Sequence, residues 1–168
     1  MNLILIAALT KNRVIGRNGA VPWDLPLDME RFKRLTLGHV VLMGRRTYET
    51  LSAPLLNRRN VVISSRPIEG VETYTTIADA LRVLESEADV YVIGGGQIFA
   101  ELLDSAAALR LTVVDQDIEG DTFFTPYEHL VGSAFKLVSE VKHEGFWFRD
   151  YVRIATSFRN PHSALPNQ

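Results

Sequence analysis

Three short apolar runs in this chain end in residues suited to anions. Val90 to Ile93 passes into Gly94, Gly95 and Gly96, after which Gln97 to Leu103 has the pattern of a helix. Glycines let the main chain come close to a ligand, and free N–H groups at a helix start favour a phosphate. A tight turn with no ligand is the competing reading, and three consecutive glycines at this junction favour binding. Val40 to Met43 leads into Gly44, Arg45, Arg46 and Thr47 at the start of a short helix through Leu51, which adds cations to the same arrangement. Val61 to Ile63 ends in Ser64, Ser65 and Arg66, whose hydroxyls and guanidinium suit a phosphate monoester. Taken singly, Arg45, Arg46 and Arg66 read as solvated surface charges. Together, three anion-suited strand ends in one sheet point to a dinucleotide carrying an extra phosphate. The GxGxxG fingerprint is absent, and no acidic residue follows the second strand to hold a free ribose 2′-hydroxyl. That favours NADPH over NADH, in a site of non-Rossmann type.

A second centre lies near Trp23-Asp24-Leu25-Pro26, which introduces a helix from about Leu27 to Leu35, with Pro26 suited to its first turn. Asp28 shares a face of that helix with Phe32 and Leu35, and Met29 borders it. An aspartate in a first turn is also favoured by the helix dipole alone, so this helix by itself leaves the two readings even. Burial would raise the pKa of Asp28 and a cationic partner would lower it. In either state the carboxyl group can grip the N–C–NH₂ edge of a heterocycle through two hydrogen bonds. Upstream, Val14 to Val21 holds Gly16, Asn18 and Gly19 and reads either as a plain connection or as a lid that closes over a bound ring.

These residues need a scaffold, and the pattern of the chain supplies one. Leu3 to Leu9, Val40 to Met43, Val61 to Ile63, Val90 to Ile93 and Leu109 to Val114 read as strands buried on both faces. Between them lie helical patterns, most clearly Ile77 to Leu84, with Thr76 as N-cap and Asp79 three residues on. The alternation predicts an α/β fold, a single domain with a central, mostly parallel sheet flanked by helices. Lys136 to His143 and Tyr151 to Ser157, with Glu144 to Arg149 between them, predict a C-terminal antiparallel hairpin at one edge. The domain is expected to span 1–158, with 159–168 a loose tail.

Composition narrows the function classes. The 168 residues suit one domain, and 46% apolar content supports a core without disulfides. Lysine and arginine number 18 against 20 acidic residues, so the net charge of −2 offers no broad footprint for nucleic acid or an anionic membrane. Cysteine is absent, which removes thiolate metal sites and cysteine nucleophiles, and the histidines His39, His129, His143 and His162 are scattered. No metal is expected. Leu3 to Leu9 is too short to span a bilayer and lacks the flanks of a signal peptide, so the expected location is cytoplasmic.

With these residues in view, the chain resembles the bacterial dihydrofolate reductases. The resemblance runs from Leu3 to about Ser157. It includes Ile6-Ala7-Ala8, Val14-Ile15-Gly16, Pro22-Trp23-Asp24-Leu25-Pro26, Met43-Gly44-Arg45, Ile93-Gly94-Gly95-Gly96 and Glu119-Gly120-Asp121-Thr122. It implies hydride transfer from NADPH to C6 of 7,8-dihydrofolate with a proton delivered to N5; a monomer is the expected state. It further implies that Asp28 holds the pteridine and promotes N5 protonation through water, that Thr112 shares its hydrogen-bond network, and that Trp23 positions an ordered water. Ile6, Ala7, Met29, Phe32, Leu51 and Leu55 would wall the substrate pocket, and Arg58 would take the glutamate carboxylate of folate. For the cofactor it implies Ala8, Ile15, Gly16, Asn18, Gly19, Ala20, Gly44, Arg45, Arg46, Thr47, Ser64, Ser65, Arg66, Ile93 and Gly94 through Phe99, with Gly95, Gly96, Gln97 and Ile98 in that turn. A cis peptide between Gly94 and Gly95 is also implied.

The chain departs from the family pattern at Phe99, where many bacterial members have tyrosine, and at Ala53 and Val21. The competing enzyme reading is a pyrimidine reductase of riboflavin synthesis, which shares the fold; Asp28 after Trp-Asp-Leu-Pro, together with Arg58, argues against it. The non-enzymatic rival is a dinucleotide-binding module that has lost catalysis.

Overall fold

A computed structural model describes residues 1–156; the expected tail and the 158 boundary lie outside them. In chain order the elements are β1 (Asn2–Thr10), β2 (Val14–Gly16), α1 (Pro26–Thr36), β3 (Val40–Gly44), α2 (Arg45–Glu49), β4 (Arg59–Ile63), β5 (Glu72–Tyr74), α3 (Ile77–Val83), β6 (Asp89–Gly94), α4 (Gly96–Leu102), β7 (Ala108–Val114), β8 (Thr122–Phe123), β9 (Phe135–His143) and β10 (Phe146–Arg153). Every run of continuous apolarity singled out in the sequence is a strand of one eight-stranded sheet, in the order β5-β4-β3-β6-β1-β7-β10-β9. All pairings from β5 to β7 are parallel, and β10 runs antiparallel to both its neighbours.

Strand alternation sorts the core into two clusters. Leu3, Leu5, Leu42, Val92 and Leu109 pack with Ile98, Phe99 and Leu102 of α4 and Ala80 of α3. Ile4, Ile6, Val41, Met43 and Val62 pack with Phe32 and Leu35 of α1 and with Leu51 and Leu55. Each fully buried leucine contributes about 1.5–3 kcal/mol relative to exposure, and Leu5, Leu42, Leu109 and Leu111 have no exposed surface. Helices therefore cover both faces, as the alternating pattern predicts. Thr76 caps α3 by accepting from the Asp79 N–H at 3.1 Å.

The C-terminal hairpin is present but shifted. Its second strand begins at Phe146 rather than Tyr151, and only Glu144 and Gly145 connect the strands, with Gly145 at φ 82°. Aromatic residues crowd the start of that strand: His143 stacks on Phe146 at 4.8 Å, and Phe148 meets both rings edge-on. These aromatic side chains suit a pleated surface. The short strands β2, β5 and β8 carry too few residues to show a period, and the sequence offered no signal for them.

Candidate functional site

The site opens where two central strands part. β1 pairs with β6 only as far as Leu5 opposite Val92, yet β6 continues to Gly94 and β1 to Thr10, still paired with β7 through Val114. Beyond Leu5 the β6-facing edge of β1 has no ladder partner. Ile6, Ala7 and Ala8 on one side and Ile93 and Gly94 on the other thus border a crevice at the carboxyl ends of parallel strands, the usual ligand position in open α/β sheets.

Asp28 stands in the first turn of α1, with Pro26 supplying the first-turn φ. The buried Thr112 of β7 lies opposite Ala8 of β1, and its Oγ1 donates to Asp28 Oδ1 at 2.5 Å. Burial pushes the Asp28 carboxyl above its ordinary value, against the lowering effects of the Thr112 hydrogen bond and the nearby Arg31 guanidinium. Asp28 and Thr112, 84 residues apart, are thereby brought together. Trp23 is half-buried before the helix and makes no side-chain hydrogen bond among the described residues.

One turn along α1 lies a groove of about 400 Å³ lined by Met29, Glu30, Phe32, Lys33, Leu55 and Arg58. Met29 is 62% exposed, an apolar side chain left open at the groove. Arg58 is held by its Nε donating to Leu56 O at 2.9 Å and its Nη1 donating to Thr36 Oγ1 at 3.2 Å. Desolvation lowers its pKa, and it has no carboxylate partner among the described residues. An anchored, partly desolvated guanidinium with no counter-ion suits an incoming carboxylate. Ile6 and Leu51 back the wall from the α1-side core rather than lining the groove. Glu30 and Lys33 were not singled out from the sequence, although Lys33 follows Met29 by four residues on the same helical face.

The three anion-suited strand ends converge. The Thr47 hydroxyl lies 3.5 Å from where a Cβ would stand on Gly94 or Gly95, and a Cβ on Gly44 would touch Ile98 at 3.4 Å. Arg45 Nη1 donates weakly to Ser64 Oγ at 3.4 Å, which also accepts from the Arg66 N–H at 3.3 Å. Ser64 is buried, whereas Ser65, Arg46, Arg66 and Gln97 are exposed. Arg45 is also paired with Glu49, a contact made across one turn of α2. Neither α2 nor α4 has a side-chain cap, so their first N–H groups are free of one. The Gly94–Gly95 peptide is cis, as the family resemblance implies. A Cβ on Gly96 would stand 2.6 Å from Phe123 O, so only glycine fits between α4 and β8. Phe99 is buried, packed on Phe124 with ring centroids 4.8 Å apart.

The segment after β1 folds over this edge. Asn18 (φ 49°) and Gly19 (φ 77°) form a two-residue turn between Arg17 and Ala20, and Ile15 and Gly16 lie in the β2–β8 pairing. Asp121 ties it down: its Oδ2 accepts from the Asn18 N–H at 2.9 Å, and its own N–H donates to Gly16 O at 3.1 Å. Thr10 and Asn12 add a contact unseen in the sequence, since Asn12 Nδ2 donates to Ile118 O at 3.0 Å.

The chain is similar in sequence and in fold to known proteins. A sequence profile of the dihydrofolate reductase family matches residues 2–151. Dihydrofolate reductase type 3 of Salmonella typhimurium is 46% identical over 130 residues, 76% of this chain and 80% of that protein. Dihydrofolate reductase HdrB of Haloferax volcanii is 41% identical over 166 residues, 91% of this chain and 84% of its own length. The solved structure of dihydrofolate reductase from Enterococcus faecalis, complexed with NADP(H) and RAB-propyl, superimposes with a TM-score of 0.81 at 30% identity, covering 90% of this chain and 96% of that one.

Proposed function

This chain belongs to the dihydrofolate reductase family, and from that membership we propose how its own residues carry the NADPH-dependent reduction of 7,8-dihydrofolate to tetrahydrofolate. It is an oxidoreductase that uses NADPH. The observation that carries these assignments is the hydrogen bond from Thr112 Oγ1 to the Asp28 carboxyl.

The residues fit the cofactor. A 2′-phosphate needs cations and hydroxyls, which Arg45, Arg46, Ser64, Ser65 and Arg66 provide, and a pyrophosphate needs uncapped N–H groups near glycine, which the Gly94–Phe99 turn and Thr47 provide. NADPH, when bound, supplies the hydride that reduces C6 of the pteridine.

The remaining work belongs to the chain. Thr112 donates to one oxygen of Asp28 and fixes the plane of its carboxyl group. The other oxygen then faces the amidine edge of the pteridine. Because burial holds the proton on Asp28 to higher pH, Asp28 promotes delivery of a proton to N5 through water oriented by Trp23. Ile6, Ala7, Met29, Phe32, Leu51 and Leu55 exclude bulk water from the ring, and Arg58 pairs with the glutamate carboxylate. Ala8, Ile15, Gly16, Asn18, Gly19 and Ala20 cover the nicotinamide end, and Ile93 and Ile98 back it.

The protein acts as a monomer, and its near-balanced charge, 18 basic against 20 acidic residues, supports action without nucleic acid. No described helix is long and apolar enough to cross a membrane. The protein acts in the cytoplasm, with 1–158 the reductase domain and 159–168 a C-terminal tail. The test is NADPH oxidation by the purified protein with and without 7,8-dihydrofolate, followed by the fall in nicotinamide absorbance. A substrate-dependent fall supports the reading, and NADPH binding without turnover on dihydrofolate overturns it.

A further inference from the structure

We propose that the ion pair between Arg31 and Asp150, which contacts no ligand in the reading above, is a positioning pair that sets the protonation of Asp28. Arg31 lies one turn after Asp28 on α1 and is only 7% exposed, unusual for an arginine. Its Nη2 donates to Asp150 Oδ1, and its guanidinium carbon sits 4.6 Å over the ring of Phe148. Phe148 is the residue of β10 paired opposite Thr112, the hydrogen-bond partner of Asp28. One guanidinium therefore fixes the helix to β10, while Thr112 fixes the Asp28 carboxyl to the neighbouring β7.

The charged and titratable groups of the Arg31–Asp150 cluster beside Asp28 come from four elements. α1 contributes Arg31, with Glu30 and Lys33 at the groove; β7 contributes Arg110, whose Nε is 3.9 Å from Asp150; β10 contributes Asp150; and β6 contributes Tyr91. On β1 the residues of that face, Ile4, Ile6 and Ala8, carry no charge. Arg31 is the cation that acts on the Asp28 carboxyl, and Asp150 is the anion that neutralises part of Arg31. Removing the two halves must then move Asp28 in opposite directions. Loss of Arg31 removes the cation beside the Asp28 carboxyl, which favours its protonated form. Loss of the Asp150 charge leaves Arg31 less neutralised, which favours the ionised one.

The inference rests on the assignment of Asp28 as the group behind proton delivery, and the two are separable. The first readout is the titration midpoint of the Asp28 carboxyl carbon in ligand-free protein, followed by carbon-13 NMR and assigned with Asp28→Asn. The second is the pH profile of the single-turnover rate with NADPH and 7,8-dihydrofolate. Arg31→Gln is expected to move the midpoint up and Asp150→Asn to move it down, with the double variant between them. At a pH above the midpoint the rate should rise roughly three-fold in Arg31→Gln and fall roughly three-fold in Asp150→Asn. Should Arg31→Gln not fold, Asp150→Asn alone decides, since an unmoved or raised midpoint overturns the proposal. Shifts of one sign in both single variants, as a purely structural role would produce, also overturn it. Opposite NMR shifts with a rate profile that does not follow them would keep the coupling and remove Asp28 from proton delivery.

Discussion

Thr112 Oγ1 and Asp28 Oδ1 meet at 2.5 Å, joining the first turn of a surface helix to a fully sheet-bound strand. The contact leaves one carboxylate oxygen for a ligand. Asp28→Asn keeps the shape of the group and removes its acid. Turnover should fall by about 10²–10⁴-fold, with the dissociation constant for NADPH nearly unchanged by fluorescence titration. Unaltered turnover would take Asp28 out of the mechanism.

The same carboxyl costs stability. Its folded pKa lies above the ordinary 3.8 because of burial, so the folded protein keeps the proton where the unfolded chain releases it. Stability therefore falls as pH rises through the interval between 3.8 and the folded value, and the loss is complete above it. Asp28→Asn should therefore raise the melting temperature at neutral pH, with the gain shrinking toward zero below pH 3.8. A gain independent of pH would mean that burial of charge is not its source.

Arg58 presents a planar fork already held by Leu56 O and Thr36 Oγ1. Lysine keeps the charge and loses the fork. In Arg58→Lys the KM for dihydrofolate should rise roughly ten-fold, with the KM for NADPH unchanged. Equal effects on both ligands would place the fault in folding of the 51–58 segment rather than in carboxylate recognition.

Arg66 bears on the choice of cofactor. Arg66→Ala should raise the KM for NADPH by roughly ten-fold while leaving that for NADH nearly as it was. A parallel loss with both cofactors would assign the 2′-phosphate to other residues.

Asp121 holds the 14–20 segment through the Asn18 N–H and also bonds Gly16 O. Asp121→Ala removes the first contact and keeps the second, so kcat should fall roughly five-fold with little change in either KM. Normal kinetics would show that the segment needs no such tie. The contact also depends on acid: the Asn18 N–H and Thr122 hydroxyl hold the Asp121 pKa below 3.8, so the tie weakens only as pH drops through that depressed value.

Much of this arrangement was legible beforehand because it depends on local chemistry. Apolar runs ending in glycine or arginine mark both a buried strand and an anion-suited terminus, and β3, β4 and β6 each carry that double signal. The Thr112–Asp28 contact was implied only by family resemblance, since nothing in the sequence around Thr112 distinguishes it from a strand threonine facing a core. The Arg31–Asp150 pair was not legible at all. An arginine on a helix and an aspartate on a strand 119 residues later carry no local sign of meeting. The start of β10 is not legible because Glu144, Gly145 and the charged Arg149 resemble a loop, while the aromatic contacts that make it a strand are tertiary.

The early end of the β1–β6 ladder sets a limit on how this protein can change. In the proposed binding mode a ligand entering where the strands part would meet peptide groups of Ile6 to Ala8, and substitution alters side chains while leaving the peptide unit in place. On the α1 side the groove is lined by residues such as Met29, Phe32 and Leu55, whose side chains substitution can change. Inherited differences in small-molecule sensitivity should gather on the helical wall, and a compound that draws its affinity from the exposed edge of β1 would be the harder one to escape.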